Sequence, residues 1–198
     1  MGEYDTRGFN PPESVQHAEY AVTNILKHPS FDPVRLHHNL AILTLATPVD
    51  LSLPTVNTAC LPACDEQFDF RFNNGSGARC WAAGWGKRSV NDTYRLRQHK
   101  LDLPLVDTAS CNTRLKRALN DLESGEGDIF AVDESEICAG GEPGKDTCKG
   151  DGGAPVVCEA LSGRWTAVGL VSWGISCDTG LPAVYTRISY FRDWINKN

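Results

Sequence analysis

Methionine occurs once in this chain, at Met1, and no apolar run reaches the roughly 18 residues that a membrane-spanning helix requires. Glu3, Asp5 and Arg7 break up the opening residues, which excludes a signal peptide there. Cations are the minority charge: 19 Lys and Arg face 25 Asp and Glu, a formal net charge of −6. A nucleic-acid binder normally carries a clustered basic surface, so this class is disfavoured. No cysteine pair has CxxC spacing and no histidine pair follows at a zinc-finger interval, so neither a structural metal nor a cofactor is expected. Repeats, low-complexity tracts and inter-domain linkers are also missing.

What is present describes a globular chain. Of 198 residues, 41% are hydrophobic and 22% charged, too apolar for disorder and long enough to bury a core. Eight cysteines are many for a cytosolic protein, and disulfides in an oxidising compartment are the reading. That reading needs a secretory address, so the sequence is expected to begin inside a longer polypeptide. Dense Gly and Pro punctuation separates short runs rich in branched and aromatic residues. Asn39–Ala46, Cys80–Gly86, Ala154–Cys158, Arg164–Trp173 and Ala183–Ile188 read as strands of a sandwich or barrel. Helix signals are confined to Ser110–Leu122, with Thr108 or Ser110 as its cap, and Ser189–Asn198, with Phe191 and Trp194 on one face. The class is all-β.

Two basic runs, Arg95–Lys100 and Arg114–Arg117, read as solvated faces given the acidic balance. His17 reads as part of an edge-like polar strand, and His28, His37 and His38 as loop or strand-entry positions. Asn74-Gly75-Ser76 and Asn91-Asp92-Thr93 are glycosylation sequons in turn-rich stretches.

The chemistry concentrates in Asp146-Thr147-Cys148-Lys149-Gly150-Asp151-Gly152-Gly153-Ala154-Pro155, followed by Ser172-Trp173-Gly174, Cys177 and Pro182–Arg187. Together with Cys80–Gly86 and His38–Leu43 these motifs closely resemble a trypsin-like serine protease domain across nearly the whole chain. The resemblance implies a double β-barrel whose first barrel is incomplete at its N-terminal side, plus a C-terminal helix. It spans 1–198, with about 1–60 the remainder of the first barrel and about 61–198 the second barrel and helix.

A serine protease needs a hydroxyl nucleophile, a histidine to take its proton and a carboxylate to orient that histidine. Gly152 stands at the nucleophile position and Asn39 at the aspartate position. Such an asparagine substitution costs about 10⁴-fold in an active protease. No segment here matches the family's histidine motif, and none of the five histidines replaces it. With Ala154 also divergent, the pattern is similar to the catalytically inactive clip-domain homologues of arthropods. That group implies secretion and regulation of protease cascades in innate immunity, including prophenoloxidase activation and melanisation. The partners implied are cascade proteins, such as prophenoloxidase or its activating protease, and a preceding region tethered through Cys60. The alternatives are a serine-type endopeptidase and a truncated product without function.

The resemblance also assigns a substrate pocket: Asp146 at its base, Ser172, Trp173 and Gly174 along a peptide-pairing edge, and Ala183 narrowing it where a glycine is usual. It implies the pairs Cys80–Cys158, Cys111–Cys138 and Cys148–Cys177, leaving Cys60 and Cys64 over. Asp151 occupies the position that pairs with a newly released amino terminus in active relatives, so here it needs another partner. Glu3 resembles one calcium ligand, without a convincing set in the residues through Glu13.

Overall fold

The structure is a computed structural model that describes residues 1–7, 16–63, 79–122, 130–160 and 162–198. Cys64, Glu13 and the sequon at Asn74 lie outside the described residues. Six antiparallel strands close a barrel: β3 (Arg79–Gly84), β4 (His99–Val106), β5 (Glu136–Gly140), β6 (Pro155–Glu159), β7 (Trp165–Trp173) and β8 (Pro182–Arg187). Their order around it is β3-β4-β5-β8-β7-β6, with β3 pairing back onto β6. This is the second barrel that the resemblance implies. β1 (Val22–Lys27) and β2 (Ala41–Leu45) form a separate two-stranded sheet.

The barrel interior is filled by Leu103, Leu105, Ile137, Val156, Val168 and Tyr185, braced by the Cys80–Cys158 disulfide. Tyr185 is fully buried, and its hydroxyl lies 3.0 Å from Thr147 Oγ1. Burial pushes that phenol's pKa up. Packing here leaves no slack: a Cβ on Gly169 would sit 3.0 Å from Tyr185 Cβ and 3.2 Å from Ile137 Cγ2. A second core holds α1 (Thr108–Asp121) against the barrel through Leu115, Val132, Val184 and the Cys111–Cys138 disulfide.

Several sequence expectations needed correction. Neither Thr108 nor Ser110 caps α1; the Asp107 side chain accepts the Ser110 N–H at 2.9 Å. A carboxylate there also meets the positive end of the helix. The C-terminal segment is a 3-10 turn (Ile188–Phe191) leading into α2 (Arg192–Lys197), not one continuous helix. The basic run at 95–100 hides the start of β4, whose Leu103 and Leu105 enter the core. Arg114 is not a solvated cation: its guanidinium donates to the carbonyls of Gly141 and Gly180. His17 lies outside any strand and pairs with Glu3 at 2.7 Å, which commits the carboxylate once considered for calcium.

Replacing Asp107 by Ala should lower stability by about 1 kcal/mol, whereas Ser110→Ala should be near neutral, as urea unfolding would show.

Candidate functional site

The chain segment 146–153 sits between the β3 end and the β7 edge. Its shape is set by Asp151, which is buried and accepts N–H groups from Gly86 (2.8 Å) and Cys148 (3.0 Å). Lys87 N–H adds a bond to the Lys149 carbonyl at 3.0 Å. Two backbone donors are the partner that a buried carboxylate requires. The glycines facing it are obligatory: a Cβ on Gly84 would lie 2.0 Å from Asp151 Oδ1, and one on Gly86 2.4 Å from its Cγ. The Cys148–Cys177 disulfide fastens the same segment to the far side of the edge strand.

Gly152 is exposed, and nothing lies within 4 Å of the place a Cβ would occupy. The turn carrying it is bonded to the edge through Gly153 N–H to Val171 O and Val171 N–H to Ala154 O, both 2.9 Å. Asn39 donates its side-chain amide to Ser172 Oγ at 3.0 Å, and its main-chain carbonyl accepts the Thr186 hydroxyl at 2.8 Å. Asn39 and Ser172 are therefore brought together, and Ser172 lines the same cavity as Gly152.

A cavity of about 380 Å³ opens beside Gly152, lined among others by Ser172, Trp173, Gly174, Ala183 and the disulfide Cys148–Cys177. Ala183 Cβ lies 3.6 Å from where a Gly174 Cβ would stand, so its methyl group occupies the wall. Asp146 lines a neighbouring cavity of about 190 Å³ instead, together with Gly86, Lys145 and Asp151; Thr147 lines both. Burial pushes the Asp146 carboxyl up to about 6, only partly offset by the N–H groups of Asp178 (3.0 Å) and Thr147.

Beneath Trp173 lies a cluster that the sequence did not point to. Glu136 is 1% exposed, and its Oε1 accepts the Trp173 indole N–H at 2.8 Å. Burial raises its pKa to about 7, with the indole bond and His37 pulling it back. His37 Nε2 is 3.7 Å from Glu136 Oε2 and Nδ1 is 3.3 Å from Asp133 Oδ2. These three side chains bring one ligand atom each within 4.8 Å of one another. Both ring nitrogens already face acceptors, however, since Nε2 also meets the Ala131 carbonyl at 2.8 Å. The arrangement is a hydrogen-bonded network rather than a ligand set.

The other histidines have their own places. His28 and His38 lie in the loop between β1 and β2, and they stack at 5.3 Å against Phe191, half-buried because the C-terminal aromatics cover them. His99 bonds the Arg97 carbonyl at 2.8 Å and His17 pairs with Glu3.

A closed antiparallel barrel that presents the turn 150–154 beside an open strand edge is the architecture of a serine-protease-like domain. The chain belongs to the trypsin family, whose model matches residues 7–195. It is 38% identical to Inactive CLIP domain-containing serine protease A3 of Aedes aegypti, covering 98% of this chain and 38% of that protein. Phenoloxidase-activating factor 2 of Galleria mellonella is 35% identical, over 98% of this chain and 61% of that protein. Inactive CLIP domain-containing serine protease A28 of Anopheles gambiae is 33% identical, over 100% and 48% respectively. The chain thus spans between 38% and 61% of the length of these curated relatives. No helix among the described residues is long and apolar enough to cross a membrane.

Gly86→Ala should destabilise by about 2 kcal/mol or more, because the new methyl displaces the Asp151 carboxylate. Gly152→Ala should change stability by no more than about 1 kcal/mol in either direction. Thermal or urea melts distinguish them. Stability should also fall as pH rises. The folded chain holds protons on Asp146 and Glu136 that the unfolded chain releases at their ordinary values of 3.8 and 4.5. The loss runs from about pH 4 to 6 for Asp146 and from 4.5 to about 7 for Glu136, then levels off. For Glu136 it amounts to about 3 kcal/mol, read from urea midpoints at pH 5 and pH 8.

Proposed function

We propose that this chain is the non-catalytic protease-like domain of a secreted regulator, binding an extended peptide segment of a protein partner without cleaving it. The observation that carries this is Gly152: the position that must supply a hydroxyl nucleophile has no side chain, on a turn that is otherwise fully formed. Asn39, bonded to Ser172, offers an imidazole no carboxylate. Peptide pairing along Ser172, Trp173 and Gly174 uses main-chain groups and survives the loss of chemistry.

The names of the relatives favour an arthropod protease cascade as the setting, with prophenoloxidase or its activating protease as the partner and melanisation as the outcome. In this reading Asp146 attracts a Lys or Arg side chain through Thr147, the residue shared by the two cavities. Cys60, an exposed free thiol, tethers the domain to a further region of the polypeptide.

Arg- and Lys-peptide esters should show no turnover above buffer, and Gly152→Ser should not introduce any. Turnover near that of an active relative overturns the reading. Titration calorimetry with an extended Arg-containing peptide should show binding that strengthens as pH rises through about 6, a dependence that Asp146→Asn reduces. In a reconstituted mixture of prophenoloxidase and its activating protease, the full-length protein should raise phenoloxidase activity. An unchanged rate counts against the cascade assignment.

A further inference from the structure

Three consecutive residues of the loop between β1 and β2 reach the barrel beside the strand that carries Trp173. His38 N–H donates to Ser135 Oγ at 3.2 Å, Asn39 holds Ser172, and His37 reaches the buried carboxylate of Glu136. Glu136 in turn holds the indole of Trp173, so this loop supports two adjacent residues of the peptide edge. Neither Glu136 nor His37 touches the cavity beside Gly152.

We propose that Glu136 is a positioning residue for the peptide edge, its carboxylate fixing the Trp173 indole while His37 supplies the opposing charge. A carboxylate accepts an N–H roughly twice as strongly as a neutral acceptor does. The His37 ring stands between the Ala131 carbonyl, 2.8 Å from Nε2, and Asp133, 3.3 Å from Nδ1. Its Nε2 also faces Glu136 Oε2 across 3.7 Å with little water between them, since the Glu136 side chain is 2% exposed, and this neighbour favours the ionised carboxyl. The remaining neighbours are accounted for. Asp133 opposes with a second negative charge but donates its main-chain N–H to Oε2 at 3.3 Å. From β8, Arg187 donates to the Glu136 main-chain carbonyl at 3.0 Å. Phe130 closes the indole's other side, with ring centroids 5.6 Å apart.

The consequence is an edge whose rigidity follows protonation. With Glu136 ionised the indole is clamped; with Glu136 protonated the bond weakens and Trp173 gains freedom beside the cavity it lines. For its effect on ligands this rests on the peptide-binding reading, whereas the Glu136–Trp173 link does not.

The test separates the two. In the free protein, the Trp173 indole N–H resonance, identified by its loss in Trp173→Phe, should titrate with a midpoint near pH 7. Glu136→Gln, which keeps the acceptor oxygen, should flatten that titration between pH 5.5 and 8.5. His37→Gln should move the midpoint to higher pH, because it removes the positive charge that favours ionised Glu136. An extended peptide without Lys or Arg, chosen to leave Asp146 out, should bind about 3- to 10-fold tighter at pH 8 than at pH 6. In Glu136→Gln that ratio should fall to about 1. An indole titration unchanged by both substitutions overturns the proposal. A titration that behaves as stated, with no peptide bound at any pH, supports the Glu136 link and overturns the peptide-binding reading instead.

Discussion

The bond between Asp151 and the main chain at Gly86 and Cys148 is the constraint on which the site depends. It joins the end of one barrel strand to the segment that separates the two cavities, and it leaves the carboxylate's charge answered by backbone dipoles alone. Everything on the functional face is arranged around that tie. Gly84 and Gly86 are small because the carboxylate fills the space in front of them. The disulfide from Cys148 to Cys177 ties the same segment to the loop that follows β7.

Charge is handled differently inside and outside the barrel. On the outside, Asp102 is paired by Lys145 and Arg79, and Glu142 by Arg79, which holds both carboxyls below their usual range. Such partly exposed pairs contribute about 1 kcal/mol or less each. Inside, Asp146 and Glu136 are moved the other way, because burial outweighs the few donors that reach them. Asp146 lines one of the cavities, and Glu136 bonds the Trp173 indole at the other. The part of the molecule with the most to lose in stability is therefore the part fitted for contact.

The sequence made the barrel legible where strands are rich in branched residues and bounded by turns, as at 154–158, 164–173 and 183–188. β4 was obscured because Lys100, Asp102 and Pro104 alternate with the leucines that enter the core, within a run that reads as basic surface. β5 was missed because its first residue is an acid, although all five of its residues are buried. Gly152 and Asn39 stand in local motifs whose resemblance to the family is visible in the sequence. The support beneath Trp173 could not, since His37 and Glu136 stand 99 positions apart and meet only when the β1–β2 loop folds onto the barrel. Cysteine pairing came from resemblance alone: bridges across 78, 27 and 29 residues carry no local signature.

The open space around Gly152 bears on how such a chain changes over generations. Because Asp151 and its backbone donors hold the turn, its shape does not rest on residue 152, where a Cβ would meet nothing within 4 Å. At buried Gly86, on the other side of the same carboxylate tie, the reverse applies, since a single methyl would displace Asp151. Selection on the fold alone would therefore preserve the frame while leaving position 152 free to drift. Recovery of chemistry would be prevented by the several other groups it needs, not by lack of room.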